Sequence, residues 1–191
     1  MLTKNAMTSP IQIEVVHESR LDEVLPHFRA YQRCYGDFAG ATEDQTRTFL
    51  AELLRDPRAG VVLIAVADSR IVGFATAFVT VSGVLASRML HLGDLYVVPE
   101  QRGQKIGERL IEAVRLEATR RGIPRVRWLS VASNHRLNAW YASLGAKSYD
   151  FKLFIAEADR GQTVGASDAE IPPPSVDAPG SETSSTPALR G

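Results

Sequence analysis

Apolar residues recur along the chain with two different spacings, which predict strands and helices in a fixed order. Strands are indicated where apolar and polar residues alternate or β-branched residues run together, and helices where apolar residues return every three or four positions. The predicted strands cover residues 11–16, 61–67, 71–81, 88–98, 125–131 and 148–156. The predicted helices cover residues 19–33, 42–57, 105–121 and 135–144.

Turn and cap residues support this order. Ser19 is a candidate N-cap of the first helix, and Thr42 followed by Gln45 has the capping-box form. Residues 68–70 make a short polar turn, so the strands on either side are predicted to form a hairpin. Gly122 is suited to end the third helix in a left-handed conformation. Strands that first follow one another and then alternate with helices indicate an α/β (α+β) fold, a mixed sheet with helices packed on it.

Composition suggests the domain organisation. A chain of 191 residues that is 45% hydrophobic suffices for one domain with an ordinary core. Residues 1–10 are interpreted as a flexible leader and residues 11–157 as the folded domain. Residues 158–191 are poor in large apolar side chains and rich in Pro, Ser and acidic residues, so a disordered acidic tail is predicted.

Charge and cysteine content bear on partners and location. The formal net charge is zero, so composition gives no reason to expect a nucleic-acid partner. Cys34 is the only cysteine, so no intrachain disulfide can form. The first residues lack the apolar core of a secretory signal, and no apolar run approaches the roughly 18 residues that suggest a membrane span. We therefore expect a cytoplasmic protein that does not use a membrane.

A basic, glycine-bearing loop joins the predicted strand 88–98 to the next helix. The loop reads Arg102-Gly103-Gln104-Lys105-Ile106-Gly107. Unpaired N–H groups and the dipole at a helix start favour anions, and basic side chains can add charge-assisted hydrogen bonds to phosphate oxygens. Neither a Walker loop nor a dinucleotide fingerprint is present. By itself the loop is equally typical of a strand-to-helix turn with exposed basic residues.

A second motif lies in WLSVASNHRLNAWYASLGA, residues 128–146. Asn134 is at the end of a predicted strand, and Tyr141 lies seven residues later on the following helix, about two helical turns away. Taken separately, the asparagine could be a helix cap and the tyrosine a core aromatic. The basic loop and the pair Asn134 and Tyr141, occurring in this order in one chain, indicate a function more specifically than either motif does by itself.

Residues 61–154 resemble the GNAT superfamily of acetyl-CoA-dependent N-acetyltransferases. The resemblance rests on GFATAF, LHLGDLYVVPEQRGQKIGERLI and RVRWLSVASNHRLNAWYASLGA, and it looks closest to the diamine and thialysine acetyltransferase branch. The family pattern [Q/R]-x-x-G-x-[G/A] falls on the basic loop, where its first and last positions match Arg102 and Gly107. Lys105 replaces the middle glycine.

The resemblance implies a mixed, mostly antiparallel sheet with helices on both faces and a splayed pair of strands at the cofactor site. It implies that the basic loop holds the pyrophosphate of acetyl-CoA, that Asn134 bonds the pantetheine arm, and that no metal is needed. The pantetheine arm is expected to bond the strand backbone at Leu95, Tyr96 and Val97, like an added strand. The family's habit also makes a homodimer plausible.

The chemistry of the expected reaction assigns tasks to groups near the thioester. An amine with a pKa near 10.4 must lose a proton before it attacks. A backbone N–H of residues 95–97 could hold the resulting oxyanion. The phenol of Tyr141, which matches the family's tyrosine, can donate a proton to the leaving thiolate.

The general base, the group that accepts the amine's proton, is less clear from the sequence. Diamine acetyltransferases carry a Glu-Asp pair where this chain has Gly93-Asp94. Regular strand alternation places Gly93 and His91 on the face opposite Asp94, the face that the missing glutamate would use. His91, or a water near it, is therefore the predicted base, and a half-buried strand histidine without a catalytic role is the alternative.

Acceptor recognition is expected from the aromatic and acidic residues of YQRCYGDFAG, namely Tyr31, Tyr35, Asp37 and Phe38, which could hold a cationic amine. The predicted function is transfer of an acetyl group from acetyl-CoA to a primary amine, either a polyamine or a lysine-like small molecule, by direct attack in a ternary complex. A protein or peptide acceptor and a non-catalytic acyl-CoA-binding module are the alternatives.

Overall fold

The structure is a computed structural model, and it describes residues 10–36 and 40–155. The predicted tail, 158–191, and all of the predicted leader except Pro10 lie outside the described residues. Asp37 and Phe38, two of the predicted acceptor residues, lie outside them as well. No helix in the described part of the chain is long and apolar enough to cross a membrane.

Within the described residues, five strands form one sheet in sequence order. They are β1 (Gln12–Val15), β2 (Gly60–Ala67), β3 (Arg70–Ser82), β4 (Ser87–Val97) and β5 (Val126–Arg127). The first four pair antiparallel, and β4 and β5 pair parallel. The β2–β3 hairpin forms as predicted, with Asp68 and Ser69 at positive φ in its two-residue turn.

In the part of the chain that the structure describes, four α-helices cover the two faces of the sheet. They are α1 (Leu21–Arg33), α2 (Glu43–Arg55), α3 (Ile106–Arg120) and α4 (His135–Ser143). The predicted capping box is present, since the Thr42 side chain accepts from the Gln45 N–H and the Gln45 side chain accepts from the Thr42 N–H. Gly122 has the predicted left-handed conformation after α3.

Two apolar clusters flank the sheet, one on each face. Helix α3 packs on the first face, where Leu110, Val114 and Ala77 are fully buried. Helices α1 and α2 pack on the second face, where Phe28 stacks on Phe74 with ring centroids 4.2 Å apart. This arrangement confirms the predicted fold class, a mixed and mostly antiparallel sheet with helices on both faces.

Three local predictions are wrong. Ser19 does not cap the first helix, because residues Glu18–Arg20 form a 3-10 turn and α1 starts only after Arg20, whose side chain makes no cap. The strand predicted for 125–131 stops after Val126–Arg127, the two residues that reach β4.

The strand predicted for 148–156 does not form in its described part, residues 148–155. Its alternating apolar side chains are largely exposed, as shown by Tyr149 at 72% and Phe151 at 87%. A strand needs a neighbour for its backbone hydrogen bonds, and β5 is too short to provide one. The alternation of apolar and polar residues predicts a strand, but it does not show whether a neighbouring strand is available for pairing.

Candidate functional site

The basic loop leaves backbone N–H groups open at the start of α3. Gly103 and Lys105 both take positive φ angles, 80° and 59°, and Lys105 is the N-cap without a side-chain cap bond. The N–H of Arg109 bonds the carbonyl of Lys105 at 3.1 Å, so the N–H groups of the three residues before Arg109 have no acceptor within the helix. Such a terminus fits the anionic pyrophosphate that the loop is predicted to hold.

The side chains of the loop divide into anchors and exposed groups. Ile106 is 1% exposed and belongs to the core under the loop. A Cβ on Gly107 would lie 3.4 Å from the Trp140 ring, so this glycine lets the helix start pack against α4. Arg102 donates from Nε to the carbonyl of Val97 at 3.2 Å, and Gln104 bonds the neighbouring Gln101.

Lys105 holds a conformation that glycine adopts without cost. Its φ and ψ of 59° and 18° are left-handed, which costs a residue with a Cβ about 1 kcal/mol. This backbone requirement explains why the family pattern has glycine at the position. The exposed Lys105 side chain offers a cation beside the open N–H groups in return.

Strands β4 and β5 separate after two paired positions. The parallel pairing joins Leu90 to Val126 and His91 to Arg127, and no further residue of β4 pairs with a described strand on that side. Because β4 continues to Val97, its last residues form one wall of a gap. The predicted splay is therefore present in the fold.

Side chains along that wall point away from the gap into the two cores. Leu95 and Val97 pack in the cluster under α3, whereas Tyr96 packs in the cluster under α1 and α2. The Tyr96 ring lies 5.7 Å from the Phe74 ring. The backbone is thus what residues 95–97 present to the gap, which agrees with the strand-like contact predicted for the pantetheine arm.

A β-bulge at Gly93 changes which side chains share a face. Thr76 of β3 pairs with Asp94, but the next residue, Ala77, pairs with Leu92, so Gly93 is the extra residue. The following pair is Phe78 with His91. His91 therefore lies on the same face as Asp94, and the prediction that they lie on opposite faces is wrong because it assumed regular alternation.

Phe78 occupies the space beside the bulge. A Cβ built on Gly93 would lie 2.3 Å from Cε2 of Phe78 and 3.3 Å from Oγ1 of Thr76. A glutamate at this position, as in the diamine acetyltransferases that the sequence resembles, would require the Phe78 ring to move. The chain thus differs from that branch by a filled space as well as by a missing carboxylate.

Asp94 is the centre of a half-buried polar cluster on this face. Thr76, which is fully buried, donates from Oγ1 to the Asp94 carboxylate and accepts from the Asp94 N–H at 3.1 Å. The charge of the same carboxylate helps to raise the pKa of Tyr31, after the larger effect of burial. Tyr31 and Tyr35 bond each other through their hydroxyls at 2.9 Å.

Burial dominates the ionisation of these groups. Desolvation raises the pKa of Asp94, although the hydrogen bond from Thr76 opposes the rise, with smaller opposing contributions from Tyr31 and His91. Desolvation likewise raises the pKa of Tyr31, and the nearby Asp94 charge adds to this effect. Asp94 is therefore protonated more readily than an exposed aspartate.

His91 stands at the edge of the same cluster. Its Nδ1 is buried and has no hydrogen-bond partner among the described residues. Desolvation, with a smaller contribution from the Arg127 charge, lowers the pKa of His91, and Asp94 acts in the opposite direction. The imidazole is thus neutral at physiological pH, which suits a proton acceptor of low basicity.

Tyr141 lies on α4 and packs against the apolar cluster under α3. Its ring contacts Trp128 at 5.2 Å and Trp140 at 5.0 Å between centroids. Burial raises its pKa to about 12, and Tyr35 contributes electrostatically to the rise. The phenol is therefore protonated at neutral pH.

Asn134 acts as a helix cap in this structure. Its Oδ1 accepts from the N–H of Leu137 at 3.0 Å and so starts α4, the helix that carries Tyr141. Asn138 donates from Nδ2 to the carbonyls of Val131 and Ala132 at 3.0 and 3.2 Å. The two asparagines fix the turn between β5 and α4, and the Asn134 amide nitrogen makes no hydrogen bond within the described residues.

Sequence reasoning missed Thr76, Phe78 and Asn138. Thr76 had a signal, since it is a hydroxyl residue within the apolar run GFATAFV, which predicts a buried hydrogen bond. Phe78 had no such signal in the sequence, because its contact with position 93 depends on the bulge. Among the described residues, no group of three or more His, Cys, Asp and Glu side chains could hold a metal ion.

Comparison with known proteins decides the family. The sequence model of the acetyltransferase (GNAT) family matches residues 24–146, which is more than half of the chain. The chain belongs to the GNAT acetyltransferase family. This confirms the predicted superfamily, and the match includes the basic loop, β4 and the Tyr141 helix.

Individual relatives agree with this assignment. A Bacillus subtilis (strain 168) protein named as an uncharacterized N-acetyltransferase, YhfO, is 32% identical over 102 residues, 52% of this chain and 64% of the relative. The chain thus spans less than two thirds of that relative's length. A crystal structure described as a probable acetyltransferase is 25% identical, with a TM-score of 0.64, over 77% of this chain and 99% of the other.

A third protein extends the comparison to a structure with a ligand. The aminoglycoside N-acetyltransferase AAC(6')-Iy in complex with CoA is 21% identical, with a TM-score of 0.66, over 82% of this chain and 99% of the other. At this identity the likeness shows a shared fold. Which acceptor this chain uses must be argued from its own site.

Proposed function

We propose that this GNAT protein transfers the acetyl group of acetyl-CoA to a primary amine of a small molecule. The single observation that supports this most is that β4 continues to Val97 after its last pair with β5, at His91, so that its final residues, which include Asp94, wall a gap. An amine in that gap would lie near the Asp94 carboxylate, a proton acceptor, and we assign the hydrogen-bond donor for the sulfur to Tyr141.

The donor substrate would lie along the gap. Acetyl-CoA supplies an activated acetyl group in a thioester. The open N–H groups at the start of α3, with the Lys105 side chain, would hold its pyrophosphate, and the backbone of residues 95–97 would bond its pantetheine arm. Asn134 has a free amide donor for the same arm, while its carbonyl oxygen remains the cap of α4.

Tyr141 would assist departure of the thiolate. With a pKa of about 12 its hydroxyl stays protonated over the whole neutral range, so it can donate a hydrogen bond to the sulfur throughout. Such a phenol is a weak acid, so full proton transfer is favourable only while the thiolate is being released. An N–H of residues 95–97 would hold the oxyanion formed by attack on the carbonyl.

The acceptor would meet aromatic rings and the half-buried carboxylate of Asp94. Tyr31 and Tyr35 contact each other edge to face, with centroids 5.1 Å apart, and present hydroxyls that can accept from an ammonium. A polyamine or a lysine-like amine satisfies these contacts with one terminal ammonium. The finer likeness to the diamine branch remains a prediction, because Gly93 and Phe78 depart from that branch.

The test is release of free thiol from acetyl-CoA with a panel of amines: polyamines, lysine and thialysine, aminoglycosides, and peptides with a free N-terminus. Wild type is compared with Tyr141→Phe, and Tyr149→Phe is the matched control because Tyr149 is 72% exposed. We expect turnover on a small amine, a loss of about 10²-fold or more in kcat for Tyr141→Phe, and wild-type activity for the control.

Other results would identify the alternatives. Turnover on peptides only would indicate a protein or peptide acetyltransferase. Binding of CoA with no turnover on any amine would indicate a non-catalytic acyl-CoA-binding module. A homodimer and a cytoplasmic location remain part of the proposal, and the former is checked by the molar mass in solution.

A further inference from the structure

Tyr141 is held in place through its ring. The residue is half-buried on α4 and packs against the apolar cluster under α3. Its hydroxyl makes no hydrogen bond to another described residue, and the oxygen is reachable by solvent. A phenol whose hydroxyl has no such partner is oriented by the contacts of its ring. The neighbouring aromatic side chains therefore decide where the hydroxyl points.

Both tryptophans of the chain contact this ring. The ring centroids of Trp128 and Tyr141 are 5.2 Å apart at an interplanar angle of 55°, and those of Trp140 and Tyr141 are 5.0 Å apart at 42°. Tilted aromatic pairs attract each other when their centroids are about 4.5–7 Å apart. The phenol ring of Tyr141 is thus held by two favourable ring contacts.

The two tryptophans hold Tyr141 in different ways. Trp140 precedes Tyr141 on the same helix, so any movement of α4 carries both residues along. Its ring packs on the start of α3, since a Cβ on Gly107 would lie 3.4 Å from Cη2 of Trp140. Trp128 belongs to a different segment of the chain. Its contact therefore fixes the Tyr141 ring relative to the sheet, which Trp140 cannot do.

Trp128 lies at the point where β5 leaves β4. Strand β5 ends at Arg127, which makes the last pair with His91 of β4, and Trp128 is the next residue. Its half-buried side chain packs against the apolar cluster under α3. The indole is thus anchored in the core where the gap between the strands begins, and it contacts the Tyr141 ring from that anchored position.

We propose that Trp128 is the positioning residue for Tyr141, and that its indole holds the phenol in the orientation in which the hydroxyl reaches the sulfur of the thioester. The inference rests on the proposed acetyl transfer, in which Tyr141 serves the departing thiolate. Trp128 itself touches no reacting atom, so its effect on turnover passes through Tyr141. Misplacing a catalytic group by about 1 Å can cost about 10²-fold in rate.

The experiment compares Trp128→Leu, which removes the ring and keeps an apolar side chain, with Trp128→Phe, which keeps an aromatic ring. Leu129→Ala is the matched control, because Leu129 is the next residue and is 63% exposed. Each substitution is made in the full chain and again in Tyr141→Phe. The readouts are kcat and the KM for acetyl-CoA on one amine, together with the affinity for CoA from calorimetric titration.

We expect Trp128→Leu to lower kcat about 10- to 10²-fold, while the KM for acetyl-CoA and the affinity for CoA change less than about twofold. Trp128→Phe should recover most of kcat, and Leu129→Ala should match the wild type. In Tyr141→Phe, the further change Trp128→Leu should lower kcat no more, because the group through which Trp128 acts is already gone.

A second measurement needs no turnover. Burial raises the pKa of Tyr141 to about 12, and the Trp128 indole covers part of the phenol ring. Without the indole, water reaches the phenol, so the Tyr141 pKa should fall toward its ordinary value of about 10 in Trp128→Leu and stay high in Trp128→Phe. NMR of protein labelled with ¹³C at the tyrosine rings measures this, and the Tyr141 signal is identified by its loss in Tyr141→Phe. If Trp128→Leu does not fold, Trp128→Met, which also lacks a ring, replaces it in both measurements.

Two kinetic results would overturn the inference. One is a Trp128→Leu enzyme with the kcat of the wild type. The other is a Trp128→Leu change that lowers kcat as far in Tyr141→Phe as in the wild type, which would give Trp128 an effect independent of Tyr141. If the wild type turns over no amine, the proposed function fails instead. The Tyr141 titration then decides alone, and an unchanged pKa in Trp128→Leu would show that the indole does not hold the phenol.

Discussion

The two faces of the sheet differ in what they bury. The face under α3 is a continuous apolar cluster, with Leu90, Leu110 and Val114 all at 0% exposure. The face under α1 and α2 has an apolar base as well, but at its β4 end it holds the buried Thr76 and the half-buried Asp94 and Tyr31. Burying such groups is costly unless they are bonded to one another.

This difference separates two tasks. The α3 face holds the helix start and the β4 backbone in place, and what it offers a ligand is backbone and the Lys105 side chain. The α1 and α2 face holds the titratable side chains Asp94 and His91, to one of which the proposed function gives the amine's proton. Substitutions in the two faces should therefore produce different signatures, one in stability and donor binding and the other in the pH dependence of the reaction.

The largest effect on stability is expected from Leu110→Ala on the α3 face. Leu110 is fully buried, and the loss of its side chain should cost about 2–5 kcal/mol of unfolding free energy. Denaturant unfolding measures this, with Leu116→Ala as a control because Leu116 on the same helix is 49% exposed. At denaturant concentrations below the unfolding transition, kcat of Leu110→Ala should fall at the same low pH as in the wild type. A shift of that pH would contradict the division between the faces.

A smaller effect is expected from Lys105→Gly in the basic loop. Glycine removes the cost of the left-handed conformation, so the protein should gain up to about 1 kcal/mol of stability. If the lysine also contacts the pyrophosphate, the same substitution should weaken CoA binding several-fold, more at low salt than at high salt. Calorimetric titration with CoA checks the second part, and unchanged affinity would remove Lys105 from the donor site.

Much of the fold was predictable from the sequence because long periodic segments determine it. The β2–β3 hairpin and helix α3 appear where the spacing of their apolar residues predicts them. The failures are at short elements that depend on a neighbour: β5 ends after two residues because β4 leaves it, and residues 148–155 have no partner strand.

The candidate site was predictable in composition more than in geometry. The basic loop, Tyr141 and Asp94 were identified from the motifs, and Tyr31 and Tyr35 from their aromatic, acid-flanked stretch. The bulge at Gly93 was not, since a single extra residue in a strand leaves no periodic signal and reverses the face of everything before it. That reversal is why His91 was predicted on the wrong face.

The assignment of Asp94 as proton acceptor is tested most directly by the pH dependence of kcat in Asp94→Asn and His91→Gln, measured on one amine at saturating acetyl-CoA. If Asp94 receives the proton, Asp94→Asn should lose about 10²-fold or more in kcat on the plateau and should no longer show the fall of kcat at low pH, whereas His91→Gln should keep that fall. An Asp94→Asn enzyme that keeps the wild-type fall at low pH, together with a His91→Gln enzyme that loses it, would contradict the assignment and make His91 the base.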